Sequence, residues 1–90
     1  MVKIDNDLQI PVVVSQAKSG KCDIYIPDMK ITIHGEDFLE AWAEGVQKAS
    51  AIYYYNVERN VKLVLKETYD SCHKYLGRGN CFVTFMPLTT

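Results

Sequence analysis

The fold is decided by residues 25–56, which read YIPDMKITIHGEDFLEAWAEGVQKASAIYYYN. This stretch holds the end of one strand, a second short strand, a glycine and the only long helical pattern of the chain. From Asp37 onward, apolar residues recur every three or four positions, as on one face of a helix: Phe38, Leu39, Trp42, Val46, Ala49, Ile52 and Tyr53. Polar residues occupy the opposite face: Glu40, Glu44, Gln47, Lys48 and Glu58. The pattern predicts one long amphipathic helix packed on a sheet.

The start of this helix is well specified. Asp37 is a good N-cap, and Glu40 follows at capping-box spacing, where both negative charges favour the positive end of the helix. We expect Gly35 to supply the positive φ that lets the chain leave the sheet. Gly45 in mid-helix predicts a close approach to the sheet. The helix is expected to end between Asn56 and Asn60.

Three strands are predicted before the helix. Residues 10–15 form a continuous β-branched run, which is typical of a strand covered on both faces and central in its sheet. Residues 16–21 form a hairpin connection, and residues 22–26 and 30–34 alternate between apolar and polar side chains. This alternation predicts an antiparallel meander in which Asp23 faces away from the helix.

The remainder of the chain predicts a short helix and a last strand. Residues 61–65 favour an extended connection, and Thr68 can cap a short helix that carries Tyr69, Cys72, Tyr75 and Leu76 and ends near Gly77 and Gly79. Residues 81–86 form a strand that ends at Pro87. We expect this strand to lie parallel beside the first, joined by a right-handed crossover. The predicted fold is α+β, with the order β-β-β-α-(α)-β, in a single domain over residues 1–90.

Composition indicates the cellular compartment and the redox state of the cysteines. Ninety residues suffice for one packed core. No apolar run reaches the length of a bilayer, and the first seven residues lack the apolar core and basic flank of a signal peptide, which predicts a cytosolic protein. Residues 1–45 carry eight acids and four bases, whereas the rest carries three acids and six bases. Three cysteines, Cys22, Cys72 and Cys81, at this spacing predict reduced thiols.

Several short motifs together resemble the HicB-like antitoxin family, whose core is a partial ribonuclease-H-like fold. The family typically has an aromatic-rich second strand ending in Pro-Asp, a third strand ending in Gly, and a capped helix opening with Leu-Glu-Glu-Ala. Near the end it has a short helix introduced by Ser or Thr, a Gly, and a strand rich in Val, Thr and Pro. The matching segments here are residues 25–28, 35–37, 39–42, 68–70, 77–80 and 82–87. Where many members have Leu-Pro-Gly-Cys after Pro-Asp, this chain has Met29, Lys30 and Ile31.

The resemblance implies a protein that binds a small HicA-type toxin, an enzyme that cleaves mRNA, and covers its active surface. A toxin that grips phosphate is basic, so an acidic face would steer and hold it. The candidate partner-binding residues are Asp23, Asp28, Glu36, Glu40 and Glu44. Family members usually continue into a DNA-binding segment. Since this sequence stops at Thr90, DNA is not an expected partner.

No catalysis, metal or cofactor is expected. Asp23 and Asp28 are the strand-associated carboxylates that a two-metal nuclease would need, but Asp23 faces away from the helix and Asp28 is explained by its turn. His34, His73, Cys72 and Cys81 are too scattered for a tetrahedral metal site. The two cysteines are better interpreted as small core residues.

RNA binding is the alternative function. Aromatic and cationic residues alternate near the end of the long helix, as in surfaces that bind single strands; the candidates are Tyr54, Tyr55, Arg59, Lys62 and Lys66. Three consecutive tyrosines on a helix point in different directions, which favours packing for some of them.

A homodimer or larger assembly is also expected. The apolar residues of the first and last strands that face away from the long helix need a cover, which a second copy would supply.

Overall fold

The computed structural model describes residues 8–60, 65–77 and 79–88. Its elements are β1 (Gln9–Gln16), β2 (Cys22–Ile26), β3 (Ile31–Gly35), α1 (Phe38–Glu58), α2 (Tyr69–Cys72), a 3₁₀ turn (His73–Tyr75) and β4 (Asn80–Pro87). The sheet order is β3-β2-β1-β4. The predicted α+β class, the meander and the long helix are confirmed. No helix among the described residues is both long and apolar enough to cross a membrane.

The main core lies between the sheet and α1, on what we call the helix side of the sheet. It contains the buried residues Ile10, Val12, Val14, Cys22, Ile24, Ile26, Ile33, Ala41, Ala49, Met86 and Leu88. Gly45 brings α1 close to this core, because a Cβ there would lie 2.8 Å from Met86 Cε. The close approach predicted at Gly45 is therefore confirmed.

Both ends of α1 follow the sequence. The side chain of Asp37 accepts a hydrogen bond from the Glu40 backbone N–H at 2.8 Å, which confirms the N-cap. The helix ends at Glu58, within the predicted range, and Asn60 follows with a positive φ of 56°. A helix of 21 residues is about 31 Å long. It therefore extends past the five-residue strands, and its last buried residue is Ser50.

Gly35 has a different role from the predicted one. Among the described glycines, only Gly20 and Gly79 have positive φ. A Cβ on Gly35 would lie 2.6 Å from the backbone nitrogen of Ala41 and 2.8 Å from its Cα. The position requires glycine because the first turn of α1 folds back onto the end of β3.

β4 is antiparallel to β1, so the predicted parallel strand is wrong. Gln16 pairs with Asn80 and Gln9 pairs with Pro87, which means that β4 starts at the end of the sheet where β1 stops. We call this the upper end; β2 starts there and β3 stops there. If α1 were the whole connection between β3 and β4, the chain would enter β4 at the lower end, and β4 would be parallel to β1.

The direction of β4 follows from a second layer. α2 and the 3₁₀ turn pack on the far side of the sheet, opposite α1, where Cys72 is buried against Val13 and Val83. The chain thus travels back along the far side before it enters β4 at the upper end. Val13 and Val83 are covered by their own chain, and the cover that we expected from a second copy is not needed for them.

The segment before α2 is only partly described. Residues 61–64, which include most of the predicted extended connection, lie outside the described residues. Leu65 packs against the main core. Thr68 caps α2 as predicted, and it forms a reciprocal capping box with Ser71.

Candidate protein-docking surface

An open cleft lies at the upper end of the sheet, between the β2–β3 pair and the start of α1. We call it the acidic cleft. It has a volume of about 310 Å³ and is lined by Lys21, Asp23, His34, Gly35, Glu36 and Glu40. Three of the five predicted partner-binding residues, Asp23, Glu36 and Glu40, therefore meet at one surface.

Asp23 and His34 form the strand side of the cleft. They are directly opposite each other in the β2–β3 register, so both side chains project on the far side of the sheet. His34 Nδ1 lies 2.6 Å from Asp23 Oδ1, with the two side chains 75% and 56% exposed. The pair is thus accessible to a partner.

Glu36 and Glu40 form the helix side of the cleft. Glu36 immediately precedes the N-cap Asp37, and Glu40 lies in the first turn of α1. Both residues are exposed. Their charges are compatible with the positive end of the helix dipole, so the fold tolerates a concentration of acids here. Lys21 is the lysine on the rim.

Asp28 is not part of this surface. It lies in the turn beyond the lower end of β2, whereas Asp23 lies near the upper end of that strand. Its Oδ1 accepts hydrogen bonds from the backbone N–H groups of Lys66 and Glu67, both at 2.9 Å. Its Oδ2 is buried without a hydrogen-bond partner among the described residues. The Asp28 carboxylate therefore stabilises the fold and does not line the acidic cleft.

Glu44 is also outside the acidic cleft. Its Oε1 lies 3.1 Å from Lys48 Nζ, at the i,i+4 spacing that favours an ion pair on a helix. The neighbouring lysine reduces the net charge that this position presents to a partner.

Of the four RNA candidates that the structure describes, only Tyr55 and Arg59 contact each other in an exposed pair. Tyr53 packs against the core, and Tyr54 meets its ring edge-on at 5.1 Å between centroids. Tyr55 is exposed, and its hydroxyl oxygen accepts a hydrogen bond from Arg59 at 2.9 Å while the guanidinium lies 5.1 Å from its ring. Lys66 is exposed and Lys62 lies outside the described residues. Tyr55 and Arg59 are thus presented to solvent as a pair.

The described cysteines and histidines do not form a shared centre. Among residues 8–60, 65–77 and 79–88, no group of three or more His, Cys, Asp or Glu side chains is placed to hold a metal ion. Cys72 is buried whereas the adjacent His73 is exposed, so their side chains point in different directions. Burial raises the pKa of the Cys72 thiol, with further contributions from Glu67 and Asp28. This shift is opposite to the one that activates a cysteine nucleophile.

Cys22 has a similar environment on the helix side of the sheet. Burial, and then the nearby carboxylates of Asp23 and Asp37, raise the pKa of its thiol. Cys22 and Cys72 are both fully buried, so for Cys72 the predicted core role is confirmed. Cys81 is half-buried, and its Sγ lies 3.3 Å from Ser15 Oγ.

Sequence reasoning missed Lys21 and His34 as members of the cleft. The signal was present for His34, because the alternation of β2 and β3 with a tight connection at residues 27–30 places it opposite Asp23. The hydrogen bonds of that turn join Met29 to Ile26 and Lys30 to Pro27.

Comparison of this chain with protein-family models, with curated proteins and with solved structures finds no match.

Proposed function

We propose that this protein is a non-enzymatic, HicB-like inhibitor that binds a small, basic HicA-type toxin in the cytoplasm and covers its RNA-cleaving surface. The observation that carries the proposal is the convergence of Asp23, Glu36 and Glu40 on the acidic cleft. These carboxylates come from β2, from the β3–α1 connection and from α1. None of them is buried.

The charge of the cleft suits a cationic partner. Three carboxylates line the cleft, together with one lysine, Lys21, and with His34 beside Asp23. Complementary charge accelerates association and disfavours partners of the wrong sign. An open cleft of about 310 Å³ suits one or two long arginine or lysine side chains. A protein that cleaves RNA presents such side chains on the surface that grips phosphate.

The motif resemblance and the cleft support the proposal through the same part of the chain. The family-like segments at residues 35–37 and 39–42 build the β3–α1 connection and the first turn of α1, and these elements carry Glu36 and Glu40. One feature of the expected fold differs, since β4 runs antiparallel to β1. That difference lies on the other side of β1 from the β2–β3 pair.

The test is rescue of growth by co-expression with a HicA-type toxin encoded next to this chain. The wild-type protein should rescue, and Glu36→Lys combined with Asp23→Lys should lose rescue and weaken the complex at least tenfold. The matched control is Glu58→Lys combined with Asp70→Lys, which reverses two charges at exposed positions outside the cleft. Thermal unfolding of each variant verifies the fold. Equal rescue by the cleft and control variants would contradict the proposal.

RNA binding is the second candidate, and the exposed Tyr55–Arg59 pair favours it. An exposed aromatic ring can stack on a base while the adjacent guanidinium binds a phosphate. The pair lies at the end of α1, far from the acidic cleft. Binding of single-stranded RNA that falls steeply with added salt and is lost in Tyr55→Ala would support this function over toxin binding.

A further inference from the structure

β4 is an edge strand, and no strand pairs with its outer side in the part of the chain that the structure describes. An edge strand exposes unpaired backbone N–H and C=O groups, and monomeric proteins usually protect such edges with charges, bulges or short length. β4 has eight residues, Asn80–Pro87, with no charged side chain and with its proline at the very end. Its sequence lacks the common protections.

The other edge of the sheet is different. β3 has only five residues, follows the positive-φ Lys30, and ends beside the Asp23–His34 pair. α1 packs mainly over β3 and β2. The two edges of the sheet are therefore not equivalent. Only β4 is long and uncharged, and α1 covers it less than it covers β3 and β2.

Large apolar side chains flank β4 on both faces of the sheet. Phe82 lies on the helix side and is 40% exposed, and Phe85 lies on the far side and is 44% exposed. Tyr69 of α2, 46% exposed, stacks on Phe85 with 6.0 Å between ring centroids. The backbone edge and the side chains beside it thus form one apolar strip, which we call the β4 edge.

We propose that the β4 edge pairs antiparallel with the β4 edge of a second copy, so that one sheet runs through both protomers. A two-fold axis perpendicular to the sheet places the two α1 helices on the same side. Because α1 packs mainly over β3 and β2, the helices leave the β4 edges accessible. This proposal concerns a surface separate from the acidic cleft and does not depend on toxin binding.

The β4 sequence is complementary to itself. Directly opposite residues must share a face of the sheet, so the two-fold axis passes through a single residue position, Val83 or Thr84. Phe85 then lies opposite Cys81 or Val83 of the other protomer. Every such pair is uncharged, and each chain has a net charge of only −1, so repulsion between copies is weak.

Because β4 is unprotected and β3 is protected, we expect β4 to pair with β4 of a second copy and the assembly not to grow into a filament. An isologous contact uses β4 of both protomers and leaves only the two protected β3 edges, so the assembly closes as a dimer. A stable interface needs about 800 Å² from each partner. Backbone pairing must therefore be accompanied by side-chain burial, which Phe82, Phe85 and Tyr69 supply.

The first test is the solution mass of the full chain by light scattering. We expect twice the chain mass of 10.3 kDa for the wild type, and a shift to the single-chain mass for Phe85→Lys. Thr32→Lys is the matched control, because it places the same lysine on an exposed position of the β3 edge. It should leave the mass doubled. A wild-type protein that remains monomeric at high concentration would overturn the proposal.

The second test needs no variant. Hydrogen exchange of the wild type is compared between dilute and concentrated samples, since dimer formation depends on concentration. We expect slower exchange in residues 81–86 at high concentration and no change in residues 31–35. A dimer without slower exchange in β4 would place the interface elsewhere. Concentration-independent protection of β4 in a monomer would show that another part of the same chain covers the edge, and either result would refute the proposal.

Discussion

Asp28 Oδ1 accepts a hydrogen bond of 2.9 Å from the backbone N–H of Glu67, 39 positions further along the chain. The same oxygen accepts one from Lys66. The turn between β2 and β3 thus holds the segment that carries the chain from α1 toward α2. Asp28→Ala should lower the free energy of unfolding by about 1–3 kcal/mol, because two backbone donors lose their acceptor. Urea denaturation measures this loss.

Two further variants separate hydrogen bonding from charge at this position. Asp28→Asn keeps one acceptor oxygen and should cost less than Asp28→Ala. Asp23→Asn makes the same change on an exposed residue of β2 and should have little effect. If Asp28→Ala is as stable as Asp23→Asn, the anchoring role of Asp28 is wrong.

Gly35 makes a tight contact between β3 and α1. Gly35→Ala should destabilise the protein by about 1–3 kcal/mol, since the added methyl would meet the Ala41 backbone at 2.6 Å and neither element can move without disturbing the core. The control is Gly77→Ala, where nothing lies within 4 Å of the added Cβ. Thermal unfolding of the pair checks this prediction, and equal midpoints would contradict it.

Glu67 makes stability depend on pH. The hydrogen bond from Ser71, followed by Lys74 and Tyr75, lowers the pKa of Glu67 in the folded protein. A carboxyl group with a lowered folded-state pKa stabilises the folded state above its unfolded-state pKa, and this stability is lost as the pH falls through the folded-state value. The stability gap between the wild type and Glu67→Gln should therefore narrow as the solution is acidified. Denaturant unfolding from neutral to acid pH measures this difference in the free energy of unfolding, and Glu58→Gln at an exposed position is the control. A difference that stays constant with pH would refute the role of Glu67.

The Asp23–His34 pair contributes little to stability. Both side chains are exposed, and exposed ion pairs typically contribute less than about 1 kcal/mol. Asp23→Ala should thus leave the unfolding midpoint nearly unchanged while it slows association with a cationic partner. Calorimetric melting together with association rates separates the two effects. A loss of several kcal/mol would show that the pair belongs to the fold rather than to the docking surface.

The sequence by itself determined the local elements. The apolar spacing after Asp37 encodes α1, the Asp37 side chain encodes its start, and the alternation in residues 22–26 and 30–34 encodes a hairpin that places Asp23 on the far side of the sheet. The Glu44–Lys48 pair follows from helical spacing alone. These features depend on neighbours within a few positions, whose residues can be read directly.

Only the tertiary structure decided the direction of β4, the task of Asp28 and the reason for Gly35. A strand with apolar residues on both faces, such as residues 81–86, pairs in either direction, and its direction depends on the route of the preceding chain. That route is determined by Cys72 packing on Val13 and Val83 and by Asp28 holding Lys66 and Glu67. These contacts join residues far apart in the chain, and packing in three dimensions selects them where local propensity does not.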